Sequence, residues 1–183
     1  MPPMKSFAVL TASGSDRVGI VDDLSAALLK IHCNIEESRM SVLGGEFALL
    51  VLVSGELESL QNLIGDLSML GERIGLELSG RLTRPHVANP SGRPYSIECV
   101  SLDTPGIVHS VTGLLRRRGV NIDELETQTT GAPFTGAPMF RMRITAIVPS
   151  EVPLGRLRAE LSEIAAAQDL DITVRPIVAG ADE

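Results

Sequence analysis

Apolar positions along the chain fall into two series with the same rhythm. In the first, residues 7–12 form a short apolar run of strand length. Val18, Ile20, Val21, Leu24, Ala27, Leu28 and Ile31 follow at helical spacing and predict one buried helix face. Residues 35–42 predict a strand, Gly44-Gly45 a turn, and residues 46–53 a buried strand. Leu57, Leu60, Leu63, Ile64, Leu67 and Leu70 predict a second amphipathic helix, and residues 76–82 alternate as a half-buried strand does. The second series runs in parallel. Residues 95–102 predict a strand and 107–115 a helix. Residues 121–130 and 139–148 predict paired strands. Leu154, Leu157, Leu161 and Ile164 form a helical stripe, and residues 172–178 close the series as a strand.

The likeness extends to individual residues. At an offset of 87, Asp16 falls on Asp103, Gly19 on Gly106, Ile20 on Ile107, Val21 on Val108, Leu28 on Leu115, Asn34 on Asn121 and Ile35 on Ile122. Phe47 then falls on Phe140 at an offset of 93, and the loop of residues 131–138 accounts for the six extra residues. Both copies have the order β-α-β-β-α-β, so the expected fold class is α+β. Two tandem ferredoxin-like domains result, each an antiparallel sheet with its helices on one face. The expected limits are residues 6–83 and 95–178. Residues 84–94, rich in Pro, Ser and Gly, form the linker. The strands are rich in Leu and Val, so the sheet face away from the helices is expected to need cover. A second copy or a second chain can supply it face to face or edge to edge, which is the physical case for a homodimer.

Composition narrows the function classes. The 183 residues carry a net charge of −7 and include four Phe, one Tyr and no Trp. A nucleic-acid binder normally has a basic face and stacking aromatics, so direct nucleic-acid binding is not expected. The longest apolar run is seven residues, far short of the roughly 20 that span a membrane. No apolar segment of signal-peptide length precedes Phe7, and a cytoplasmic location is expected. Cys33 and Cys99 have neither metal-ligand nor disulfide-framework spacing and predict two reduced, buried thiols. His32, His86 and His109 have no partner at ligand spacing, so no metal or cofactor is expected. The Arg116-Arg117-Arg118 run falls at a helix end and predicts a solvated terminus. Glu36-Glu37 and Asp123-Glu124 begin strands and are expected to face solvent rather than to act as catalytic pairs.

Chemistry concentrates in the loop before the first helix of each copy. Asp103-Thr104-Pro105-Gly106-Ile107 ends a strand and opens a helix. Asp103 or Thr104 is expected to cap that helix, with Pro105 at its first position. Gly106 lets a backbone or small ligand approach closely, and the first-turn N–H groups suit a carboxylate. Asn121, at the next strand, offers an amide to the same small molecule. The first copy has Asp16, Arg17, Val18, Gly19, Ile20 and Asn34 at these places, so its loop lacks the proline and is more cationic. An Asp, a Pro and a Gly between strand and helix are also ordinary turn chemistry, and duplication copies structural features as faithfully as functional ones.

D-x-P-G-I-V before a helix, then N-I at the next strand, inside β-α-β-β-α-β, resembles the ACT domain, a regulatory module that typically binds amino acids. The tandem arrangement, with G-A-P-F-T-G-A-P-M-F in the second copy, is similar to the glycine cleavage system transcriptional repressor family. The resemblance implies a non-catalytic sensor of a small amino acid such as glycine or serine. It would act through a protein partner such as a transcription activator. It also implies ligand contacts at residues 103–107 with Asn121, and at 16–20 with Asn34, where one domain's loop meets a neighbouring domain's strand. Three other functions stay open at this level: a structural dimerisation module, a small-molecule enzyme using Cys99 or His109, and an RNA-binding module. For the last, the strand E-F-A-L-L-V-L-V lacks the aromatic run that stacks bases.

Overall fold

The computed structural model describes residues 5–84, 92–132 and 136–177. They form two compact units. The first contains β1 (Ser6–Ser15), α1 (Ile20–Lys30), β2 (Asn34–Leu43), β3 (Glu46–Gly55), α2 (Leu57–Ile74) and β4 (Glu77–Thr83). The second contains β5 (Gly92–Leu102), α3 (Ile107–Arg117), β6 (Asn121–Gly131), β7 (Pro138–Pro149), α4 (Leu154–Gln168) and β8 (Asp171–Pro176). The sheets are ordered β2-β3-β1-β4 and β6-β7-β5-β8, antiparallel throughout. These are two tandem ferredoxin-like units, as the two apolar series predict.

Each core lies between the sheet and its two helices. In β1, alternation sends Ala8, Leu10 and Ala12 inward, and in β3 it sends Phe47, Leu49, Val51 and Val53. Ile20, Leu24 and Leu28 of α1 and Leu60, Leu63, Leu67 and Leu70 of α2 meet them. The second core repeats the plan with Ile97, Cys99, Met142, Ile144, Val111, Leu115, Leu157 and Leu161. Val18, expected on the buried face of the first helix, lies in the preceding turn and is 98% exposed. β5 begins at Gly92, within the stretch expected as linker, because Gly92, Arg93 and Pro94 pair with the end of β7. Linker residues 85–91, His86 among them, lie outside the described residues, as do residues 133–135 of the β6–β7 loop.

The open sheet faces differ between the units. In the first, Phe7 and Val9 of β1 and Leu50 and Leu52 of β3 occupy that face, so an apolar face needing cover is found there. In the second, Glu98 pairs with Arg143 and Val100 with Arg141, and an ion pair at 3.2 Å joins Arg143 to Glu98. The expectation of an apolar open face fails for that unit because its strands alternate apolar with charged residues. Of the four edge strands, β2 and β6 are exposed along almost their whole length.

Leu157 is completely buried in the second core. Its replacement by Ala leaves a cavity that surrounding side chains only partly fill, so Leu157→Ala is expected to destabilise the protein by about 2–5 kcal/mol, read as a lower urea midpoint.

Candidate functional site

The two loops that precede α1 and α3 share one backbone geometry. Asp16 N–H donates to the Gly45 carbonyl at 2.8 Å, and Asp103 N–H to the Pro138 carbonyl at 3.0 Å, so each loop is anchored to the neighbouring hairpin. Gly19 has φ 90° and ψ 0°, and Gly106 has φ 99° and ψ −7°. These are the angles of the third residue of a type II turn, which require glycine. Each of these glycines is the residue that precedes its helix, and no side chain caps either helix. The expected capping by Asp103 or Thr104, with Pro105 as first helical residue, is therefore wrong. Pro105 occupies the second position of the turn, and the helix begins two residues later, at Ile107. The consequence favours a ligand, because the first-turn N–H groups of both helices have no side-chain acceptor.

The asparagines are not beside these loops. Asn34 pairs with Ser54, which pairs with Phe7 at the start of β1, whereas the 16–20 loop follows Ser15 at its end. Asn121 pairs with Ile147, which pairs with Pro94, and the 103–107 loop follows Leu102. Eight strand residues separate loop and asparagine in each unit, about 25 Å at the rise of a strand. The expectation that Asn121 and its own loop hold one small molecule is overturned, and so is its counterpart in the first unit.

The two copies have also diverged in what holds these residues. Arg17 Nη2 donates to Asp23 Oδ2 at 2.6 Å and to the Ile74 carbonyl at 2.8 Å, and Nη1 donates to the Val18 carbonyl at 3.2 Å. The extra cation of the first loop is thus spent tying the loop to both helices rather than facing a ligand. Asp22 and Asp23 lie in the first turn of α1 and already balance its positive end, whereas the first turn of α3 has no acidic residue. Thr104, which stands in place of Arg17, makes no side-chain hydrogen bond among the described residues.

Asn34 Nδ2 donates to Glu36 Oε1 at 3.0 Å. The same oxygen accepts from Lys5 Nζ at 2.6 Å and from the buried Ser54 hydroxyl. Glu36 is the extra residue of a β-bulge and is exposed, as expected, while its carboxylate also meets these donors. The Lys5, Ser54 and Asn34 hydrogen bonds lower its pKa to about 2. β6 has the matching bulge between Ile122 and Glu124, but Ile147 stands where the first unit has Ser54. Asn121 makes no side-chain hydrogen bond among the described residues. Sequence reasoning missed this polar node. The signals available were a lone serine at the end of an apolar strand and a lysine before the first strand.

Both thiols are buried, and burial pushes the Cys99 pKa up to about 11 and that of Cys33 upward. A protonated thiol without access is a poor nucleophile, so Cys99 does not support the enzyme reading. Among the described residues there is no metal-binding group of three or more His, Cys, Asp or Glu, and no helix is long and apolar enough to cross a membrane. A concavity of about 870 Å³ in the first unit is lined by Ser13, Ser15, Glu46, Glu72 and Glu77, beside the 16–20 loop but not on it.

Glu36 supplies a pH signature. Its depressed pKa contributes stability that is present above the unfolded value of 4.5 and lost as pH falls through about 2. The urea midpoint of wild type is expected to exceed that of Glu36→Gln at pH 6, and the difference is expected to vanish between pH 4.5 and 2.

The ACT domain profile matches residues 6–80 and again 95–166. The chain is 29% identical over 144 residues to the glycine cleavage system transcriptional repressor of Escherichia coli (strain K12), covering 79% of this chain and 76% of that protein. Among solved structures, an unknown protein from Galdieria sulphuraria has a TM-score of 0.80 and 37% identity, over 95% of this chain and 99% of that one. A second, provisionally described as a glycine cleavage system transcriptional repressor, has a TM-score of 0.72 and 27% identity, over 95% and 98%. With both repeats matched, and with the turn glycines and bulged strands in the same places in each, the chain belongs to the ACT domain family.

Proposed function

We propose that this protein is a non-catalytic, cytoplasmic amino-acid sensor that regulates transcription of the glycine cleavage type through a protein partner. The ligand is a small amino acid, glycine or serine. Its carboxylate takes the first-turn N–H groups of α3 at the 103–107 loop. The observation that carries the choice of the second unit is the uneven use of the two copies. Arg17 and Asn34 are held by internal partners, while the Thr104 and Asn121 side chains make no hydrogen bond among the described residues.

A loop and an asparagine about 25 Å apart cannot share one amino acid. A homodimer joined through β6 resolves this. Two β6 strands paired antiparallel about a two-fold axis put Asn121 of one chain beside the Thr130 end of the other. Thr130 pairs with Met139 and Met139 with Leu102, the residue just before the 103–107 loop. The exposed edge of β6 is available for this pairing. The partner protein then reads the paired state, which the ligand favours by binding it more tightly than the single chain.

Titration calorimetry with glycine, serine and a panel of other amino acids tests the reading. One ligand per chain is expected, with sedimentation showing a dimer stabilised by it. Thr104→Glu places a carboxylate against the ligand's own and is expected to weaken binding at least tenfold. Asn121→Ala is expected to weaken it similarly, and Asn34→Ala to leave it unchanged. No heat and no thermal shift with any amino acid leaves the structural dimerisation module as the function instead.

A further inference from the structure

The second unit carries a cluster of charge that the reading above does not use. α3 ends in Arg116 and Arg117, with Arg118 as its final cap. Arg117, Arg118 and Arg156 line a surface cavity of about 280 Å³, together with Glu151, Val152 and Pro153. Arg118 Nε donates to Glu160 Oε2 at 2.6 Å, and its Nη2 donates to Oε1. Arg156 Nε donates to the same Oε1 at 3.2 Å. One carboxylate therefore serves two guanidinium groups. Arg117 has no carboxylate partner among the described residues. Glu151 lines the cavity as well, and its Oε1 accepts a hydrogen bond from Ser150 at 3.1 Å. Three arginines face two carboxylates, so the cavity keeps an excess of positive charge in an otherwise acidic protein.

The fold does not require these charges. At the 87-residue offset, Arg118 falls on Ile31. Glu160 stands three residues after the fully buried Leu157, where the first unit has Leu63 three residues after the fully buried Leu60. Ile31 packs against the first core and Leu63 belongs to it. The same corner of the same architecture is thus closed by two aliphatic side chains in one copy and by an ion pair in the other. A partly buried ion pair seldom stabilises more than the aliphatic pair it replaces. Arg156 pairs with Glu160 along α4, but Arg117 has no carboxylate partner among the described residues, so ion pairing does not account for its place at the cavity.

We propose that this cavity binds a phosphate group, either as inorganic phosphate or on a small phosphorylated molecule. A guanidinium presents its N–H donors in a planar fork that matches two oxygens of a phosphate. Glu160 fixes Arg118 and Arg156 in orientation, and Arg117 brings the unneutralised charge. The cavity lies just below the size range of pockets that take drug-sized ligands, which suits a single phosphate with little of its carrier enclosed. Pro153, which precedes the first residue of α4, lines it, and the first turn of α4 adds no acidic residue to Glu151 and Glu160.

The experiment is a titration of the full chain with inorganic phosphate at constant ionic strength. Binding is read by backbone chemical shifts, with sulfate, chloride and glycerol phosphate as parallel arms. Saturable shifts at residues 117–118 and 151–157 are expected with phosphate, and none with chloride. Tighter binding of glycerol phosphate assigns the site to a phosphorylated molecule, and equal binding assigns it to the free ion. Arg117→Ala and Arg156→Ala are each expected to weaken binding about tenfold. Arg158→Ala, on the α4 face that reaches the Val174 carbonyl, is expected to leave it unchanged. The double variant Arg118→Ile with Glu160→Leu installs the first unit's pair, and it is expected to keep the fold while losing phosphate. No saturable shift with either phosphate compound overturns the proposal. So does equal response to chloride, or undiminished binding in Arg117→Ala and Arg156→Ala.

Discussion

The central position of β1 in one sheet and β5 in the other constrains everything that follows. Each is hydrogen-bonded on both sides, to β3 and β4 or to β7 and β8. A strand held on both edges cannot slip without turning its whole inward set of residues to the wrong face. The register therefore fixes where the chain leaves the sheet, and so fixes the 16–20 and 103–107 loops at one end. The same ladders carry Asn34 and Asn121 to the opposite end. One unit of this register therefore cannot bring its own loop and its own asparagine to a single small molecule. On the proposed reading, the need for a second chain follows from strand order.

Duplication makes the two units a comparison within one molecule. What they share is backbone: the type II turn at Gly19 and Gly106, and the bulges after Ile35 and Ile122. What differs is how polar side chains are employed around that backbone. Arg17 ties the first loop to α2, and Ser54 with Lys5 draws Glu36 and Asn34 into one node. The second unit puts Thr104 and Ile147 at the corresponding positions, and among the described residues the Thr104 and Asn121 side chains make no hydrogen bond. It spends charge elsewhere, on the Arg118–Glu160 pair and on the open face of its sheet. A copy that internal bonds hold closed suits a scaffold, and a copy with free donors suits recognition.

Element order and the repeat were readable from spacing alone, because strand and helix periods differ and both copies obey them. The loop was located correctly and its role in capping was not. Pro105-Gly106 is compatible with proline at a first helical position and with the middle of a type II turn, and only the dihedral at glycine separates the two. Asn121 was misplaced for a different reason. Nearness in sequence to the end of a helix says nothing about which end of the sheet the next strand starts from, and that depends on pairing with β7. The Glu36 node is out of reach of the sequence because its donors, Lys5 before β1 and Ser54 in β3, are far apart in the chain and meet only at a bulge that no periodicity announces. Val18 kept the helical period but falls before the turn glycine, so its apolar character went to solvent.

On the proposed reading, the separation of loop and asparagine also sets how the sensor would signal. A ligand whose contacts come from two chains contributes its binding energy only when those chains are paired. It therefore shifts the pairing equilibrium by its difference in affinity for the two states, and by mass action that shift grows with ligand concentration. No moving part is needed within either unit. On the proposed reading, an exposed β6 edge and the 103–107 loop would be enough to convert amino-acid concentration into a change of assembly that a partner protein can read.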